Sequence, residues 1–168
     1  MSAGPPPSIR PATDADLAQV AAIYAELVET THVIFELVAP PLSSWQRRLS
    51  ELDARDGFLV AIDAAGAVLG FGYSSPYRPK PAYAGSRETT IHLAPQARGR
   101  GLGRSLYAEL LADVAARGNR LAVAVVAEPN EASTRLHQGL GFAAVGTIPD
   151  VGEKLGRLWS TTIWAKRL

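Results

Sequence analysis

Cysteine is absent from this chain of 168 residues, and its one methionine is the first residue. Disulfides, thiolate metal sites and a cysteine-bound acyl intermediate are excluded together. Any acyl transfer would therefore run directly from donor to acceptor, and no metal is expected. Net charge is missing too: 17 Lys and Arg against 16 Asp and Glu give +1. Without a surface-wide field, nucleic acid is not an expected partner. No apolar run approaches the roughly twenty residues a bilayer crossing needs, and the opening Met-Ser-Ala-Gly-Pro-Pro-Pro has no apolar signal core. The expectation is a cytoplasmic protein, free of membrane, with a disordered segment at residues 1–7. Aromatic residues are few at 7%, but 47% hydrophobic and 20% charged content suits one folded domain over residues 8–168.

What the chain does have is Gln96-Ala97-Arg98-Gly99-Arg100-Gly101-Leu102-Gly103-Arg104. An alternating segment, Glu88-Thr89-Thr90-Ile91-His92-Leu93, precedes it, and Leu106, Leu110 and Val114 follow at helical spacing. Strand, glycine-rich turn and helix thus succeed one another. Glycines leave backbone N–H groups uncovered at the positive end of a helix dipole, a geometry that binds pyrophosphate. The Walker pattern fails, because the last glycine is followed by Arg104-Ser105 rather than Lys-Ser/Thr. The dinucleotide fingerprint fails as well: the glycine spacing is wrong, and Glu128 comes too late to serve as its acidic residue.

The remaining elements follow from pattern. Residues 8–11 read as an edge strand. Thr13 and Asp16 read as a capping box for a helix carrying Leu17, Val20, Tyr24, Leu27 and Val28. After Pro40-Pro41, Ser43 or Ser44 would cap a second helix that buries Trp45, Leu49 and Leu52. Residues 58–62 and 68–73 form a hairpin across Asp63-Ala64-Ala65-Gly66. A strand at 88–93, a helix at 103–117 and a strand at 121–127 make a βαβ unit, the last strand apolar enough for burial on both faces. Asn130 caps a final helix, and strands at 142–148 and 157–166 close the chain.

Arg98-x-x-Gly101-x-Gly103 resembles the coenzyme A pyrophosphate loop of the GCN5-related N-acetyltransferases, the GNAT superfamily. The similarity continues through Asn130 to Phe142. Pro76 to Tyr83, Glu88, Pro129-Asn130, His137 and Lys154-x-Gly156-Arg157 are similar to the phosphinothricin and methionine sulfoximine acetyltransferase branch. The resemblance implies an α/β fold, a mixed sheet with helices on both faces and splayed parallel strands at the cofactor site. It also implies acetyl-CoA as co-substrate, a small amine acceptor and a homodimer. Trp159 and Trp164 in the terminal strand would pack or extend a partner's sheet, or else complete the chain's own core. Ala84-Gly85-Ser86-Arg87 and Leu158-Trp159-Ser160 depart from the branch, which has an aromatic residue before the glutamate and Trp-x-Asp.

Acetyl transfer to an amine needs a held pyrophosphate and pantetheine, a polarised carbonyl, a base for the ammonium and protonation of the thiolate. Gly99, Arg100, Gly101, Leu102, Gly103 and Arg104 would hold the pyrophosphate. By resemblance, Ile91, His92 and Leu93 would offer pantetheine a strand edge and the carbonyl an N–H. Asn130 is either a helix cap, a cofactor contact, or both. Glu88 is favoured as base over His92, which lies about 13 Å further along a strand. His137, on a polar helical stripe with Ser133 and Thr134, is expected to face the cofactor, as general acid or as a positioning hydrogen bond. Arg78 and Tyr83 frame a proline-stiffened loop where an arginine fork would hold an acceptor carboxylate, unless Arg78 is simply solvated. The competing functions are acetylation of a protein N-terminus or lysine, and a non-catalytic acyl-CoA-binding module.

Overall fold

The turn at Asp63–Gly66 folds two apolar runs onto each other as β2 (Phe58–Ile62) and β3 (Val68–Pro76). The computed structural model describes residues 6–168, so residues 1–5 of the expected disordered segment lie outside the described residues. The other elements are β1 (Ser8–Pro11), α1 (Leu17–Thr30), α2 (Leu42–Ser50), β4 (Ser86–Leu93), α3 (Leu102–Ala116), β5 (Leu121–Glu128), α4 (Glu131–Gly139), β6 (Ala143–Lys154) and β7 (Arg157–Arg167). The strands form one mixed sheet in the order β1-β2-β3-β4-β5-β7-β6, in which β4 and β5 are the parallel pair.

Helices cover both faces. Leu106, Tyr107, Leu110 and Val114 of α3 pack on one, and Tyr24, Leu27 and Trp45 of α1 and α2 pack against Phe71 on the other. Ahead of α1, a 3₁₀ turn at Asp14–Asp16 is pinned by the buried Asp16 carboxylate. That carboxylate accepts from Thr13 N–H and Oγ1, each at 2.8 Å, and from the Arg10 guanidinium at 2.7 and 2.8 Å. The Arg10 hydrogen bonds hold its carboxyl down to about 2. Among the described residues, no helix is long and apolar enough to cross a membrane.

Three expectations change. Pro41, not a serine, occupies the N-cap of α2, because proline's fixed φ and missing N–H suit a helix start. β6 runs six residues past the expected end at 148: Pro149 is tolerated on an edge strand, and the register slips between Ile148 and Gly152, where Asp150 has φ +51. β5 is not buried on both faces, since Val125 is 47% exposed. Its parallel pairing to β4 covers only Ser86↔Leu121, Arg87↔Ala122 and Glu88↔Val123, while its antiparallel pairing to β7 covers all eight residues. Beyond Glu88 the two strands part.

Candidate active site

Glu88 stands at the vertex of that gap, paired across β3 with Ser75 and across β5 with Val123. Alternation puts Glu88, Thr90 and His92 on the α1/α2 face of the sheet with Tyr73 and Phe71, and puts Thr89, Ile91 and Leu93 on the α3 face. Glu88 is half-buried, and its carboxyl is raised above the usual carboxylate range by loss of hydration, offset in part by the Arg78 guanidinium. Tyr24 and Tyr73, both raised by burial, face the same space, with the Glu36 carboxylate and the Arg48 guanidinium near them. Arg48 lies 4.2 Å from the Tyr73 ring centre. Beside it, sharing Arg48 and Tyr73, lies an open cleft of about 540 Å³ whose lining also includes Arg47 and Ser75.

At the open end of the gap lies the glycine loop. Gly99 and Gly101 take φ of +75° and +79°, and Gly101 is the N-cap of α3. A side chain at either would meet nothing within 4 Å, so the loop leaves open space over the first N–H groups of the helix, which have no intrahelical acceptor. The residues fit a bound pyrophosphate. Gly103 is different: it lies inside the helix, and a Cβ there would come within 3.3 Å of Leu93 Cδ1. The arginines also divide. Arg98 reaches back to the Leu93 carbonyl at 3.3 Å, Arg104 donates to the Gly139 carbonyl at 2.8 Å, and Arg100 is exposed at the loop. Arg104 thus ties α3 to the end of α4. Asn130 caps α4 through Oδ1, which accepts from Ser133 N–H at 3.1 Å.

The two histidines behave differently from an exposed acid or base. His92 packs edge-on against Tyr24 at 5.4 Å and beside Phe71 at 5.4 Å. Burial, reinforced by the Arg98 charge, holds its imidazole down to about 4. β3 and β4 pair without a register shift from Glu88 to Leu93, so His92 stays four regular residues from Glu88. His137 was expected to face the cofactor from a polar stripe; instead it is 3% exposed, packed between Tyr107, Phe142 and Trp164. Nδ1 lies 2.8 Å from the Ser133 carbonyl and Nε2 3.3 Å from the Tyr107 hydroxyl. Tyr107, beside Leu106 on α3, and its partner Thr89, in a regular strand, carry no signal of their own in the sequence. Only their tertiary juxtaposition reveals them.

On the acceptor side, Arg78 is exposed, with its guanidinium 5.0 Å from the Tyr77 ring centre, and Tyr83 meets Tyr77 edge-on at 5.8 Å. The Arg78 charge favours the ionised form of the Glu88 carboxyl. Where the branch carries an aromatic residue, buried Gly85 lies under Arg120, whose Nε is 2.8 Å from the position a Cβ would take. Lys154, of the Lys154-x-Gly156-Arg157 motif, is buried and donates to the Ile34 carbonyl at 2.6 Å. Phe35 packs onto Gly152 so closely that a Cβ there would fall 2.2 Å from its ring. His32 stacks on Trp159 at 3.9 Å, and Arg157 lies 4.3 Å from the same ring. The motif therefore fastens residues 32–36, and Glu36 with them, beside Tyr24. Trp159 and Trp164 are 8% and 4% exposed, so they complete the chain's own core and present nothing to a partner. Ser160, in place of the branch's aspartate, accepts from the Asp150 N–H at 3.1 Å and braces the irregular part of β6.

This constellation has counterparts of known name. The sequence profile of the acetyltransferase (GNAT) family matches residues 21–142. A phosphinothricin N-acetyltransferase of Streptomyces coelicolor is 43% identical over 164 residues, 95% of this chain and 94% of the relative. An L-methionine sulfoximine/L-methionine sulfone acetyltransferase of Pseudomonas aeruginosa is 38% identical over 152 residues, 89% of this chain and 88% of the relative. The crystal structure of a GNAT superfamily phosphinothricin acetyltransferase from Sinorhizobium meliloti in complex with acetyl-CoA superposes with a TM-score of 0.92 at 34% identity, covering 96% of this chain and 88% of that one. With a splayed parallel pair, a glycine loop opening α3 and relatives aligned along nearly its whole length, the chain belongs to the acetyltransferase (GNAT) family.

Proposed function

We propose that the protein transfers acetyl from acetyl-CoA directly to the primary amine of a small, amino-acid-like acceptor, of the phosphinothricin or methionine sulfoximine type. The observation that carries this is the half-buried Glu88 carboxylate at the vertex of the β4–β5 gap, on the face that also bears Tyr73 and the cleft. Bound acetyl-CoA would supply an activated acetyl thioester. The N–H groups from Gly99 to Gly103 hold its pyrophosphate, with Arg100 adding exposed charge, Arg104 bracing the helix and Asn130 closing the far side. The Ile91–Leu93 edge holds pantetheine and offers an N–H to the thioester carbonyl. Glu88 takes the ammonium proton, directly or through water. His92, held near 4, is too weak a base for the task. Arg78 and Tyr83 hold the acceptor carboxylate over Glu88. A thiolate of pKa near 8.5 is a tolerable leaving group, so His137 need not be an acid and acts by positioning. Without cysteine, no acyl-enzyme on a thiol is open to this chain.

The test is release of free CoA thiol from acetyl-CoA across a panel of amino acids, their sulfoximine and phosphinate analogues, and short peptides. Turnover with amino acids or analogues over peptides is expected. Turnover restricted to peptides would establish the protein-acetylating alternative, and binding without turnover would establish the sensor module.

The homodimer is part of the same proposal. Support comes from β6, whose Val145, Ile148 and Val151 are 66, 45 and 50% exposed along the free edge of the sheet. A long, apolar, unpaired edge is a template for another strand, and the second copy offers the same edge. Sedimentation at micromolar concentration should give twice the chain mass, and Ile148→Lys should return the monomer. A monomeric wild type would overturn the dimer.

A further inference from the structure

Beyond Glu88↔Val123 the main-chain ladder between β4 and β5 ends, and the groups that bridge the strands from there are side chains. Thr89 Oγ1 lies 3.2 Å from the Val123 carbonyl and 2.8 Å from the Tyr107 hydroxyl. The Tyr107 hydroxyl lies 3.3 Å from His137 Nε2, and His137 Nδ1 lies 2.8 Å from the Ser133 carbonyl and 3.2 Å from the Ser133 hydroxyl. Thr89, Tyr107 and His137 are each at most 3% exposed, so no bulk water completes these bonds.

The chain of bonds has one direction. A carbonyl only accepts, so Nδ1 carries the imidazole proton. A neutral imidazole then accepts at Nε2, and the Tyr107 O–H is the donor. The phenol oxygen is left to accept from the Thr89 hydroxyl, whose single proton lies between Tyr107 and the Val123 carbonyl. Burial lowers the imidazole's affinity for a second proton, consistent with the neutral form. Both ring nitrogens are thereby occupied.

We infer that Tyr107 is a positioning residue for acetyl transfer: its hydroxyl donates to Nε2 of the His137 imidazole, whose tautomer the Ser133 carbonyl sets, and, through Thr89, fixes where β4 leaves β5, one residue beyond Glu88. The inference rests on the proposed use of the gap as the acetyl-CoA slot. Without the hydroxyl, Nε2 loses its donor, and a buried acceptor without a partner is costly enough to drive rearrangement. Thr89 would turn wholly to the Val123 carbonyl, and the imidazole, still held at Nδ1 by the Ser133 carbonyl, would be left with a bare Nε2. The width of the slot and the set of the Glu88 backbone would follow.

The experiment pairs two readouts that need no acceptor: nitrogen NMR of the His137 imidazole, and calorimetric affinity for acetyl-CoA. Wild type should show a protonated Nδ1 and an unprotonated Nε2. Tyr107→Phe keeps the ring and should leave Nδ1 protonated but move the Nε2 resonance to that of a nitrogen without a donor, with acetyl-CoA affinity down roughly tenfold, the net worth of about one hydrogen bond. Thr89→Val should weaken affinity similarly, and Thr89→Ser, which keeps the hydroxyl, should restore it. A protonated Nε2 in the wild type, an Nε2 resonance unmoved in Tyr107→Phe, or a moved resonance with unchanged affinity would overturn the inference. Wild type with the stated tautomer but no affinity for acetyl-CoA would overturn the proposed function instead.

Discussion

Gly101→Val is expected to weaken acetyl-CoA binding by roughly 10- to 100-fold while the protein stays folded. The cause is backbone conformation. At φ +79° Gly101 is left-handed, and no atom would obstruct a side chain there. A β-branched residue in that region costs on the order of 1–3 kcal/mol. The chain recovers that energy by relaxing φ, which swings the loop's N–H groups away from the point they share. Gly103→Ala is a suitable contrast, since its Cβ would press only on the flexible end of Leu93 and moderate loss is expected. Replacing Arg100, exposed at the loop, should act differently, through its charge. Calorimetry at low and high salt separates the two modes: a loss carried by backbone geometry persists in salt, whereas a loss of exposed charge fades. Unchanged affinity in a folded Gly101→Val protein would remove the cradle assignment.

The loop was legible in the sequence because a left-handed backbone is most readily written as glycine, and a helix start as a change to 3.6 periodicity. The gap was not. It is made where pairing stops, and nothing in Thr89-Thr90-Ile91 differs from a fully paired strand. His137 shows the limit of periodicity in a related way. A polar residue on a helix stripe reads as solvent-facing or ligand-facing, but a single partner on another helix, Tyr107, makes the same residue a core group. Trp159 and Trp164 were undecidable for the opposite reason: a large aromatic residue in a terminal strand suits either a core or an interface, and here His32, Lys154 and His137 supply the neighbours that bury them. The apolar face that is exposed belongs to β6, which on paper ended at residue 148, before Pro149, and in the structure runs on to Lys154.

Glu88→Gln should bind acetyl-CoA as the wild type does and turn over about 10²- to 10⁴-fold more slowly, the range for loss of a general base. Glutamine keeps the shape of the side chain at the vertex but cannot accept the ammonium proton. The wild-type pH profile should have its acidic limb where Glu88 titrates. The active form is the carboxylate, so activity falls as pH falls through the carboxyl's pKa, and burial places that limb above the ordinary glutamate value. Removing the opposing charge with Arg78→Ala should move the limb to still higher pH, because Arg78 favours the ionised form. In Glu88→Gln the limb should vanish, and the residual rate should rise with the fraction of neutral amine, whose solution pKa lies between about 8 and about 10. His92 sets the control. Its imidazole is held near 4 and packed against Tyr24, so His92→Phe should leave the position of the limb unchanged. Wild-type turnover in Glu88→Gln, with the acidic limb lost in His92→Phe, would transfer the role of base to the histidine.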